Sequence, residues 1–209
     1  MARYYAYNRQ RKITPWDTEW RGTVSERRKS VGSSCGRGYD PIYFASALGL
    51  EAFGLEASSI AIEGAKQLIG TTPELASKVH IEAADFFEYK VADKDKFGLI
   101  YDYTYLCTGN LSLHVLLIQH SQLLRCNTSF QARPLGTQMN SLIKPGGYLI
   151  TLMFPYVPNS PYSTGPPFYS NFDSYAEVLG PGWEVVFDRI PEDAPPAGNR
   201  MVVWKRKFE

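Results

Sequence analysis

A glycine-rich turn followed in order by a helix, a strand and an acid constrains this chain more than any other stretch. Residues 31–56 read V-G-S-S-C-G-R-G-Y-D-P-I-Y-F-A-S-A-L-G-L-E-A-F-G-L-E, with Gly32, Gly36 and Gly38 at the start. An apolar run then covers residues 39–48, long enough for about three helical turns, and Gly49 stops it. Residues 50–55 predict a short strand, and Glu56 stands at its tip. Glycine lets a backbone turn sharply and approach a ligand closely. A helix that starts at such a turn aims free N–H groups and partial positive charge at whatever sits there. An acid about 20 residues on can accept hydrogen bonds from both ribose hydroxyls. The order therefore predicts a nucleoside-cofactor site at the carboxyl ends of parallel strands. The plainer alternative is a glycine turn between ordinary elements.

Composition removes several classes of partner. A chain of 209 residues predicts one domain, long enough for a real core. A net charge of +1 gives no reason to expect nucleic acid or an acidic partner. With no run of 18 apolar residues, no membrane span is expected. The N-terminal residues have no apolar segment of the kind a secretory signal needs. Cys35, Cys107 and Cys126 have neither metal spacing nor an even count, so no metal site is expected and a reducing, cytoplasmic setting fits. A small-molecule substrate and a monomer are the expectation.

The remainder of the chain alternates strands with helices. Residues 1–30 are polar and basic, and Trp16 inside them is either a lid over a ligand or a surface anchor. Ser58 or Ser59 can cap a helix with apolar positions Ile60, Ala61, Ala65, Leu68 and Ile69. Strands are predicted over residues 79–84, 97–106, 148–154, 183–190 and 201–205, a turn over 144–147 and a short helix over 172–179. Such alternation implies a parallel or mixed α/β sheet.

Six blocks then fall into a familiar order: C-G-R-G-Y-D (35–40), F-G-L-E (53–56), A-D-F-F (84–87), Y-D-Y-T-Y-L-C (101–107), L-I-K-P-G-G (142–147) and L-I-T-L-M-F-P (149–155). T-P-W-D (14–17) and G-P-P-F (165–168) join them. The chain resembles the thiopurine S-methyltransferase-like family, and within it the fungal and plant thiol and halide methyltransferases. The resemblance implies S-adenosyl-L-methionine as cofactor and a class I methyltransferase fold. That fold is a Rossmann-like, doubly wound α/β sheet of seven strands, with residues 148–154 central and the last strand antiparallel. It also implies roles for named residues. Gly36 and Gly38 would line the methionine and ribose side, and Glu56 would bind the ribose hydroxyls. Asp85 and Phe86 would flank the adenine, and Trp16 would close over the cofactor. Tyr101 and Asp102 would stand beside the transferred methyl as the catalytic pair, with Asp102 more a positioning group than a base. The acceptor would be a small nucleophile: a thiol, a thiopurine, a halide or thiocyanate.

Two departures from the family pattern stand out. The strand before the glycine turn should be apolar and central, yet residues 21–31 read R-G-T-V-S-E-R-R-K-S-V. Central parallel strands are apolar on both faces, so this first strand is expected to be degraded, leaving at most residues 30–33 to pair. Residues 108–132 also interrupt the step from Y-D-Y-T-Y-L-C to K-P-G-G. They are either an extra contact helix or a retained intron, and the second reading is preferred. Two functional alternatives follow: a non-catalytic or impaired methyltransferase-fold protein, and a nicotinamide oxidoreductase. The latter wants G-x-G-x-x-G, whereas the spacing here is G-x-x-x-G-x-G.

Overall fold

The computed structural model describes residues 29–32, 35–103, 128–154, 156, 171–190 and 198–208. Trp16, Cys107 and most of the 108–132 interruption lie outside them.

The described strands form one mixed sheet. In chain order they are β1 (Lys29–Gly32), β2 (Glu51–Glu56), β3 (Val79–Ala83), β4 (Phe97–Tyr103), β5 (Ile143–Met153), β6 (Trp183–Arg189) and β7 (Arg200–Arg206). Their order across the sheet is β3-β2-β1-β4-β5-β7-β6. The first five run parallel, and β7 pairs antiparallel with both β5 and β6. The expected mixed α/β architecture is what the chain adopts.

The helices cover both faces. Helix α1 (Tyr39–Leu48) and α2 (Ser59–Gly70) follow β1 and β2, and α3 (Thr128–Leu142) and α4 (Phe172–Leu179) come later. Phe44 and Ala45 of α1 pack with Ala52, Leu99, Tyr101 and Val203 on one face. Leu135, Met139 and Leu142 of α3 and Tyr175 and Leu179 of α4 pack with Leu55, Ile100, Leu149 and Trp204 on the other. Alternation along β4 explains the division, because successive strand residues point to opposite faces.

Local chemistry sets the helix limits. Gly38 and Gly49, both left-handed, bracket α1, and the Gly49 and Leu50 N–H groups close its last turn on the Phe44 carbonyl. Ser58 caps α2 by accepting from the Ala61 N–H, but the buried face of that helix is Ile62 and Ala65. Ile60, expected in the core, is 84% exposed. It is the second residue of α2, in the first turn and off the face that Ile62 and Ala65 bury, so its apolar side chain is left in solvent. None of the described helices is long and apolar enough to cross a membrane.

Three expectations meet the structure in different ways. β1 is as short as expected, four residues set one position earlier at 29–32, and it pairs in register with β2 on one side and β4 on the other. The charged run enters it by one residue, Lys29, whose ammonium lies 3.7 Å from Asp95 and 5.7 Å from the centre of the Phe53 ring. The glycine turn is therefore supported on its strand side too. The 144–147 turn is instead an irregularity inside β5: Ile143 pairs with Phe97 and Tyr148 already with Leu99. Gly146, with φ of 70°, makes that bend, and Phe208 from the C-terminal end packs where its side chain would be. Finally, the last residues of the 108–132 interruption belong to α3, which begins at Thr128.

Candidate functional site

β1 is the point where the sheet order reverses, with β2 to one side and β4 to the other. Ligands of open α/β sheets bind outside the carboxyl ends of the strands at such a point. The glycine turn follows β1 there, and Gly54, Gly32 and Tyr101 stand in register across the three strands.

Glu56 organises the turn. Its buried carboxylate accepts from the Gly36 N–H at 2.8 Å through one oxygen and from the Ser58 N–H at 2.9 Å through the other. The acid thus ties the turn after β1 to the start of α2. A carboxylate offers about four lone-pair sites, so two remain for further donors such as ribose hydroxyls. Gly36, with φ of 55°, would have nothing within 4 Å of an added Cβ, so the space in front of the turn is open. Turn and acid fit a nucleoside cofactor on these two grounds.

The two glycines differ in purpose. A Cβ on Gly38 would stand 3.1 Å from that of Ala65 and 3.4 Å from Ile81 Cδ1, and its N–H already donates to the Cys35 carbonyl at 2.9 Å. Packing of the turn against α2 and β3 accounts for Gly38, whereas open space accounts for Gly36. A third glycine escaped the sequence reading. Gly54 inside β2 faces Cys35, whose sulfur would lie 2.5 Å from a Cβ there. The absent side chain lets the turn lie flat on β2, where Cys35 N–H donates to the Leu55 carbonyl at 2.9 Å. Burial, then the Glu56 and Asp40 charges, push the Cys35 thiol up to about 12, so it is a packing group.

Asp85 and Phe86 follow β3. Asp85 is exposed, and its carboxylate accepts from the Phe87 N–H at 2.8 Å, shaping a tight turn. Phe86 is buried in the core, edge-on to Phe87. The Ala84 N–H donates to the Glu56 carbonyl at 3.1 Å, so this turn is joined to the acid of β2.

Tyr101 and Asp102 do not share a face. Tyr101 points to the α1 side, edge-on to Phe44 at 5.4 Å between ring centres. Asp102 points to the opposite side, fully buried, and accepts from the Tyr175 hydroxyl of α4 at 2.9 Å. A buried acid held by a phenol ties α4 to β4. Its partner was illegible in sequence because 73 residues separate the two. Among the described residues no cluster of three or more histidines, cysteines or acids could hold a metal ion.

A second polar cluster sits at the same edge. Arg200 opens β7 opposite Met153, the last residue of β5. Its guanidinium donates to both Asp188 oxygens, at 2.8 and 2.6 Å, and to the Tyr156 hydroxyl at 2.9 Å, and lies 4.7 Å from the Phe172 ring centre. The hydrogen bonds to Asp188 raise the Arg200 pKa above its ordinary range, and those from Arg200 lower that of Asp188. Arg200 thereby joins the end of β5, the start of α4 and the edge strand β6.

Comparison with known proteins agrees with this geometry. No family model matches the chain. The probable thiol methyltransferase 2 of Arabidopsis thaliana is 33% identical over 184 residues, covering 83% of this chain and 70% of that one. Thiocyanate methyltransferase 1 of Brassica oleracea is 30% identical over 182 residues, covering 81% and 68%. Among solved structures, the N-methyltransferase NodS from Bradyrhizobium japonicum WM9 matches with a TM-score of 0.61 at 13% identity, covering 94% of this chain and 99% of that one. Magnesium protoporphyrin IX methyltransferase from Synechocystis PCC 6803, solved with bound SAM, matches with a TM-score of 0.60 at 14% identity, covering 85% and 69%. At such identities the structural matches speak for the fold, which is that of the class I methyltransferases. The sequence matches go further: this chain belongs to the family of the plant thiol and thiocyanate methyltransferases.

Proposed function

We propose that the chain transfers a methyl group from S-adenosylmethionine to a small, soft nucleophile: a thiol, a thiopurine, a halide or thiocyanate. The observation that carries this reading is the Glu56 carboxylate, bonded to Gly36 of the glycine turn at the point where the sheet order reverses. Membership of the thiol and thiocyanate methyltransferase family supports the choice of reaction and acceptor. It also favours methyl transfer over the nicotinamide alternative.

The cofactor supplies an already activated sulfonium methyl. The chain's task is to hold the two reactants in line, which can contribute about 7–11 kcal/mol at best. On this reading Glu56 receives the ribose, Gly36 leaves room beside it, and Asp85 and the backbone at Phe86, whose ring is in the core, flank the adenine. Tyr101 stands beside the reacting centre at the end of β4, and Asp102, through Tyr175, keeps α4 in place behind it. Trp16, outside the described residues, would close over the cofactor as the family resemblance implies. A thiolate or halide needs no strong base, and the burial of Asp102 suits that. The proposal extends to a doubly wound seven-strand fold forming a single domain over the whole chain, acting as a monomer in a reducing, cytoplasmic setting. The three cysteines, without metal or disulfide spacing, support that setting.

Calorimetric titration with S-adenosylmethionine tests the site. Glu56→Ala should weaken binding by about 1.5–3 kcal/mol, the range for hydrogen bonds to a charged group. An unchanged affinity would reduce Glu56 to a pin for the glycine turn and remove it from the cofactor site.

A further inference from the structure

Gln138 lies on α3, far in sequence from the turn that follows β3, yet its side chain ends on that turn. The amide nitrogen donates to the Phe86 carbonyl and, at 2.8 Å, to the Tyr89 carbonyl. Both acceptors are carbonyls, which cannot donate, so the orientation of the amide is fixed by its partners. Its oxygen lies 3.2 Å from the Ser141 hydroxyl, one turn along the helix. Gln138 is buried, so each of these bonds replaces one that water would otherwise make.

The two carbonyls bracket residues 86–89. The same turn is anchored at its other end to β2, where the Ala84 N–H meets the Glu56 carbonyl at 3.1 Å. Between the anchors, the Asp85 carboxylate and carbonyl accept from Phe87 and Glu88, at 2.8 and 3.2 Å. The turn that carries Asp85 and Phe86 is thus held by the residue that carries the acid on one side and by α3 on the other. Remove Gln138 and the buried Phe86 carbonyl and the half-buried Tyr89 carbonyl each lose a donor together.

We propose that Gln138 is a positioning residue for cofactor binding, holding the Asp85–Phe86 turn in the shape that receives the adenine ring. The inference rests on the cofactor reading given above. It separates the two ends of the reaction: Gln138 acts on the cofactor's adenine end and has no part in holding the acceptor or aligning the methyl.

Gln138→Met keeps the volume and removes both donors. Steady-state kinetics and calorimetry of the full chain should show the KM for S-adenosylmethionine and the Kd for S-adenosylhomocysteine rising together, by roughly tenfold. The KM for thiocyanate or a thiol and kcat at saturating cofactor should stay at parent values. Adenosine, which keeps the adenine and ribose and lacks the methionine portion, should lose affinity by the same factor. Ser141→Ala, which removes the neighbour of the amide oxygen and leaves the packing intact, should give a smaller loss in the same direction and serves where Gln138→Met folds poorly. An unchanged Kd in both variants overturns the proposal. So does a fall in kcat and a rise in acceptor KM in step with the cofactor effect, which would mark Gln138 as a general support of the fold. Failure of the parent protein to bind S-adenosylmethionine at all would instead remove the cofactor reading, and this inference with it.

Discussion

Cys35 fits under the glycine turn because Gly54 has no side chain, and that fit controls its chemistry. With the thiol pushed up to about 12, the reactive thiolate at pH 8 is roughly one part in ten thousand. A Cys107→Ala/Cys126→Ala variant leaves Cys35 as the sole thiol. It should resist a disulfide reagent at pH 8 while folded and react at once in denaturant; rapid labelling of the folded protein would contradict the packing role. The pH dependence has a definite sign. An unfolded cysteine ionises near 9.0 and the folded one near 12, so the stability this thiol contributes is full below pH 9 and is lost as the pH climbs toward 12. Chemical unfolding at pH 8 and pH 11 should differ less once Cys35 is replaced by alanine.

Elements meet where the sequence gives no sign of it. Tyr175→Phe removes the hydroxyl that reaches Asp102 and leaves a fully buried acid short of that donor. The cost should be about 1–3 kcal/mol, lowering the thermal midpoint by about 2–4 °C per kcal/mol. An unchanged midpoint would mean that Asp102 is satisfied elsewhere. Gly136 makes a second contact of this kind. Replacing a helix-interior glycine by alanine ordinarily stabilises by about 1 kcal/mol. Here the added methyl would stand 1.9 Å from the Val178 carbonyl oxygen of α4, so α3 and α4 must separate. Gly136→Ala should therefore destabilise, by about 1–3 kcal/mol, and a raised midpoint in a thermal melt would refute the close approach. These contacts mark the boundary of what the sequence could tell. The glycine turn, α1, β2 and Glu56 were legible because their signals are local: a stop at Gly49, an apolar period, an acid at a strand tip. α4 was legible over its full length for the same reason. Gln138, Tyr175 and Gly54 were not, because each acts on a residue that only the folded sheet brings near. The opposite directions of Tyr101 and Asp102 follow from strand alternation, a period of two that is legible in the sequence. K-P-G-G reads as a connecting turn because glycine and proline punctuate chains, whereas in the structure they bend a strand that continues through them.

At the scale of the whole molecule, the charged segment before the glycine turn matters less than its composition suggests. β1 needs only Lys29–Gly32 to bridge β2 and β4, and its one charged residue sits at the strand's entrance beside Asp95 and the Phe53 ring. The turn is consequently held from both sides, by β1 and by α1, with Glu56 drawn to Gly36 across the edge of the sheet. On the proposed reading this edge is the seat of the nucleoside cofactor, and displacement chemistry would depend on it, since a misplacement of about 1 Å can cost a hundredfold in rate. Turnover is the most direct test. The protein is incubated with S-adenosylmethionine and, in turn, hydrosulfide, iodide, thiocyanate or no acceptor, and S-adenosylhomocysteine is measured over time. The expected result is product that depends on at least one of these acceptors and is strongly reduced in Glu56→Ala. Product no greater than in the acceptor-free control with every nucleophile, from a protein that is folded and monodisperse, would contradict the assignment of this chain as a methyltransferase of small soft nucleophiles.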